Sequence, residues 1–122
     1  MGAPEDEILA FIGSSFRSVW ALELILLLKS ERRTWSRSEM VKTLRASELV
    51  VNGALDGLVA GGLASADENG AAYAPVSKDV ERCMESVARL YAARPNAVRR
   101  TIVAAASRSA TAFADAFKLR KD

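Results

Sequence analysis

Two helix-start signals, at Ser36 and Ser47, stand so close that the chain between them has room for one short helix and a tight turn. Ser36 with Glu39 three residues on is a capping box, so a helix is predicted from Arg37. Met40, Val41 and Leu44 give it one apolar face. Arg45-Ala46 makes a short connection. Ser47 is a good N-cap for a second helix, along which Val51, Leu55, Leu58 and Val59 recur at helical spacing. Gly61-Gly62 ends that helix, because glycine takes the left-handed conformation without steric cost. Two helices about so short a connection are a helix-turn-helix.

The next residues extend the pattern. Leu63 to Ala66 fits a short strand, Asp67-Glu68-Asn69-Gly70 a turn ending in Asn-Gly, and Ala71 to Val76 the returning strand. The stretch Ser47 to Leu63, with Val51, Leu55, Leu58 and the closing Gly62-Leu63, resembles the second helix and first wing strand of winged helix-turn-helix regulators of the MarR and ArsR type. The resemblance is one of pattern and spans roughly Val19 to Val87. It implies a mainly α fold with a small β-hairpin: a winged helix-turn-helix core over about 16–76, followed by C-terminal helices over about 77–120. It also implies a DNA-binding transcription regulator.

Upstream lies the most hydrophobic segment, Phe16 to Lys29. Its run Val19 to Leu28 holds a single charge, Glu23. It is about half the length of a membrane span and is followed by charged residues, so a core helix is predicted. Trp20, Leu24, Leu27 and Leu28 are its expected core contacts, and Trp35 is placed to staple the helix that follows. Ile8 to Ile12 reads as a short helix broken by Gly13-Ser14-Ser15. The acidic start, Glu5-Asp6-Glu7, does not fit a secretory signal, and Asp6 breaks the myristoylation pattern.

With 122 residues, half of them hydrophobic, the chain is expected to form one domain. One cysteine permits no internal disulfide and fits a cytoplasmic setting. There is no histidine, so the commonest general base and the commonest metal ligand are both missing. No glycine-rich phosphate loop, metal-ligand spacing or paired-carboxylate motif occurs, so no enzyme activity, cofactor or metal is expected.

Downstream, Ser77 is expected to cap a helix from Lys78 to about Ala92. Val80, Cys83, Met84, Val87, Leu90 and Tyr91 fall on one stripe, and Cys83 is expected to be a small buried hydrophobe. Pro95 redirects the chain. Asn96 to Leu119 reads as one long helix or two short ones, with Val98, Ile102, Ala105, Phe113 and Phe117 on a stripe. This stripe is either intramolecular core or the seam of a homodimer. The seam is preferred, because alanines let helices approach closely.

Charge is unevenly placed. Residues 29–45 carry a net +4, from Lys29, Arg32, Arg33, Arg37, Lys42 and Arg45 against two carboxylates. Residues 46–76 carry a net −4, from Glu48, Asp56, Asp67 and Glu68, with no basic residue at all. Phosphate contacts need positive charge, and base edges are read by Arg, Lys, Asn or Gln. Double-stranded DNA would therefore be contacted by Arg32, Arg33, Arg37, Lys42, Arg45, Ser47 and the turn residue Asn69, with Asn52 as the one good reader of bases. The basic tip usual in MarR-type wings is replaced by Asp67 and Glu68. Two functions follow. The preferred one is a dimeric DNA-binding regulator without a sensor domain. The other is a winged helix that binds protein through Glu48, Leu49, Val50 and Asp56.

Overall fold

A computed structural model describes the backbone of residues 4–119 and the side chains of residues 4–108. Six helices and one hairpin follow in the order α1 (Glu5–Ser15), α2 (Val19–Ser30), α3 (Arg37–Leu44), α4 (Glu48–Ala60), β1 (Ala64–Asp67), β2 (Gly70–Tyr73), α5 (Lys78–Ala93) and α6 (Pro95–Leu119). The fold is thus mainly helical with a small two-stranded antiparallel sheet.

Local hydrogen bonds set the helix starts. Ser36 Oγ accepts from the Glu39 amide at 3.1 Å, and the Glu39 carboxylate accepts from the Ser36 amide at 2.9 Å, closing the capping box. Ser47 caps α4 and Ser77 caps α5 in the same way, each accepting an amide hydrogen bond at 3.2 Å. Arg45 ends α3 in the left-handed region, at φ 53°. At the end of α4, Gly61 keeps right-handed geometry and Gly62 makes the left-handed step, at φ 76°.

The hairpin pairs Ala64 with Tyr73 and Asp67 with Gly70. Trp35 adds one bridge to its outer edge, exchanging backbone hydrogen bonds of 2.7 and 2.9 Å with Ala71. This contact docks the hairpin on the chain just before α3.

The core is built around α2, whose Leu22, Leu24, Ile25 and Leu28 are fully buried. Met40 from α3, Val51, Leu55 and Leu58 from α4, and Met84 and Val87 from α5 join the same cluster. No single helix among the described residues is long and apolar enough to cross a membrane.

Several expectations are corrected. Gly13-Ser14-Ser15 does not break α1, which runs on to Ser15. A methyl group at Gly13 would lie 3.5 Å from Thr101 and 3.6 Å from Ala105, so α1 packs on α6 at this point. That packing outweighs the poor helix propensity of glycine. Trp20, expected in the core, is 40% exposed. α2 is apolar nearly all round, and composition cannot select which face turns inward. Val59, the last residue of the predicted α4 stripe, is exposed as well. Cys83 is exposed rather than buried. It lies on the predicted stripe, but burial in α5 starts only at Met84. The returning strand ends at Tyr73, and Val76 lies exposed beyond it. Of the two alternatives left open for the last segment, one helix is found, Pro95–Leu119.

The capping box gives α3 a measurable pH response. Glu39 is held at about 2, from an ordinary 4.5, first by its hydrogen bond from Arg33 and then by the Ser36 amide. Between those two values the unfolded chain binds a proton that the folded chain does not. The contribution is therefore complete above about pH 5 and is lost as the pH falls toward 2. The carboxylate is at the surface, so added salt should weaken the effect. Acid titrations of stability should show a shallower loss over this window in Glu39→Gln than in the parent chain. Parallel curves would rule out the linkage.

Candidate interaction surface on α4

α4 buries one side, Val51, Leu55 and Leu58, against α2 and the hairpin. Its other side carries Glu48, Leu49, Val50, Gly53, Asp56, Gly57, Val59 and Ala60, all exposed. Leu49 is 82% exposed and Val50 37%. Among the described residues little covers Leu49, and neighbouring exposed apolar side chains of this kind mark contact surfaces. They also line a groove of about 650 Å³ between α4 and the corner where α1 meets α2. Phe11, Arg17 and Trp20 form the opposite wall, and Gly53 and Gly57 lie along its floor on α4. The α1–α2 corner, bent by 105°, holds Trp20 out over this groove instead of in the core.

The glycines stand out energetically. A methyl group at Gly53 or Gly57 would meet nothing within 4 Å among the described residues. Neither has a positive φ. Each nonetheless weakens the helix by about 0.5–1 kcal/mol relative to alanine. Gly53→Ala with Gly57→Ala should therefore raise stability by roughly 1–2 kcal/mol and the melting temperature by about 4–8 °C. A lower melting temperature would show that these positions are constrained from inside the fold.

The basic segment before α4 is largely occupied. Arg32 pairs with Glu81 at 3.2 Å and with Glu85 at 3.9 Å, and Lys29 reaches Glu85 at 3.1 Å. The Lys29 contact draws the Glu85 carboxyl below its usual range. Arg32 also lies over the Tyr73 ring, and burial pushes that phenol up. Arg33 pairs with Glu39 at 3.0 Å and with Glu31 at 3.4 Å and stacks on Trp35 at 3.9 Å. Arg37 donates to the Asp67 backbone carbonyl at 2.9 Å, holding the hairpin turn. Only Lys42 and Arg45 of the expected phosphate-binding set make none of these contacts among the described residues, and both are exposed. Ser47 is used as a cap, Asn52 is half-buried, and the Asn69 backbone N–H donates to Asp67 Oδ1 at 2.8 Å.

Glu48 and Asp56, expected at a protein contact, are exposed beside Leu49 and Val50 and make no ion pair among the described residues. The expected dimer contacts divide differently. Val98 and Ile102 are buried in this chain's own core, and α6 packs along α1 and α5, so neither residue can form a seam. Ala105 is half-buried on the α1 side. Phe113 and Phe117 lie outside the described side chains. Phe11, Arg17 and Trp20 carry no sequence signal as groove residues, because their proximity to α4 depends on the angle between α1 and α2. Gly53 and Gly57 do carry one: two glycines four apart inside a helix mark a place where another backbone can approach closely.

No known protein family matches the chain, and neither does any curated protein or solved structure.

Proposed function

We propose that this protein is an interaction module of winged-helix type that docks a partner protein through α4. In this reading the chain keeps the helix order and hairpin of a winged helix-turn-helix and uses the second motif helix for protein, not for base edges. One observation carries it. The exposed side of α4 sets Leu49 and Val50 beside an open groove and bears Glu48 and Asp56, with no cation. Such a surface suits apolar contact and repels phosphate. Engagement of Arg32, Arg33 and Arg37 within the chain supports the same reading, since they are spoken for before any duplex arrives.

DNA binding is the competing reading, favoured by the exposed Lys42 and Arg45 beside the start of α4. The two separate in a pair of measurements on the full chain. In a low-salt titration, duplex DNA should show no shift at tens of micromolar protein. A photo-crosslinking residue at Leu49 should give discrete protein adducts in cells, while the same residue at the also exposed Ser38 on α3 should give none. A mobility shift that weakens steeply with salt, with no adduct from Leu49, would replace the protein reading with the DNA one.

A further inference from the structure

We infer that the groove between α4 and the α1–α2 corner accepts an amphipathic α-helix from another protein, carrying lysine or arginine along the flank that meets α4. The inference rests on the interaction reading above and adds the chemistry of the partner.

Shape argues for a helix. The groove follows α4 from Leu49 to Gly61, about three turns or roughly 18 Å. That length matches a ligand helix with apolar anchors at i, i+3 or i+4, and i+7. Trp20 on one wall and Leu49 and Val50 on the other stand open to receive those anchors. Between them, Gly53 and Gly57 present backbone where any other residue would present a side chain. An approaching helix axis is thereby allowed to the short end of the usual 8–10 Å packing distance. Among the described residues nothing packs on the glycines, and a partner backbone resting on them would.

Charge argues for a basic partner and against a second copy of this chain. Glu48 and Asp56 flank the groove on the exposed side of α4 without lining it, no cation accompanies them on that helix, and neither carboxylate forms an ion pair among the described residues. A two-fold contact between two α4 helices centred on Gly53 and Gly57 would bring both Asp56 carboxylates near the axis, like charge on like. A foreign helix with lysines on that flank meets them with opposite charge, and such complementarity sets specificity and encounter rate. Arg17 on the far wall restricts the cations to the α4 side.

The test uses the full chain, isotope-labelled, and two synthetic helices that share one leucine pattern. One carries lysines on its flank and the other glutamates. The lysine helix should shift the amides of Leu49, Gly53 and Gly57 and the indole of Trp20, and bind at least tenfold more tightly than the glutamate helix. Asp56→Lys should reverse that preference. Gly53→Leu should weaken binding tenfold or more, with a melting temperature no lower than that of the parent chain. Equal binding of both helices at these residues would overturn the basic chemistry and leave α4 as the docking surface. No shift at these residues with either helix would overturn both. A duplex that shifted them instead would assign the face to nucleic acid.

Discussion

Gly70→Ala should destabilise the protein by about 3 kcal/mol or more and lower its melting temperature by about 10 °C or more. Gly70 sits at φ 140°, a conformation that side-chain-bearing residues rarely adopt. Its Cα faces the chain before α3. A methyl group there would be driven into the Trp35 carbonyl, 2.8 Å from its carbon and 3.1 Å from the Ser36 Cα. Those atoms are backbone and have no rotamer to escape into. Relief requires the hairpin to lift away, which breaks both hydrogen bonds between Trp35 and Ala71 and frees the turn from Arg37. Thermal unfolding followed by circular dichroism reads the effect. A drop of only a few degrees would mean that the hairpin is not seated against Trp35. The contrast with Gly53 and Gly57 is direct. The same replacement, in the same protein, should destabilise at one glycine and stabilise at the other two, because only Gly70 of the three is hemmed in by backbone.

Trp35→Ala should cost about 3–5 kcal/mol. The side chain is 6% exposed and touches three systems at once. Its indole N–H donates to the Glu31 carbonyl at 3.0 Å, so the turn after α2 loses a partner. The ring supports the Arg33 guanidinium, which in turn holds Glu39 in the capping box. Its bulk seals the hairpin side of the core. Trp35→Phe separates these contributions. It retains most of the apolar burial and the stacking face but removes the N–H, and should cost about 1–2 kcal/mol. Chemical denaturation of both variants checks the prediction. Equal losses would assign the effect to the hydrogen bond alone. Because Trp20 remains half-exposed, the native fluorescence of Trp35→Ala should be shifted to longer wavelength than that of the parent.

Several features of the fold are legible in the sequence. The starts of α3, α4 and α5 follow from Ser36, Ser47 and Ser77, and α3 and α4 have the predicted bounds. Each start depends on a hydroxyl bonding an amide three residues ahead, so the information is complete within one turn of chain. The hairpin is legible from Asn69-Gly70 for a similar reason, although its strands are displaced by a residue or more from the predicted limits. Glu48, Leu49, Val50 and Asp56 share the exposed side of α4, where helical spacing alone places them.

Tertiary structure decided the rest, and in each case the missing partner is far away in sequence. The sequence by itself determined where three helices begin, that a hairpin follows α4, that the segment from Lys29 to Arg45 is basic, and that α4 is acidic. It did not determine where the basic residues discharge. Arg32 meets Glu81 and Glu85, and Arg37 meets the Asp67 carbonyl, partners reached only once α5 and the hairpin have packed against the first helices. Val98 and Ile102 lie in the core and not at a seam because α1 lies along α6. For Trp20 and Cys83, hydrophobicity and periodicity indicate a direction around a helix and not the depth of what covers it. The groove has the same origin. Hydrogen bonds that close a turn are local, whereas a cavity is the space left between elements, and its shape is set by the angles at which those elements meet.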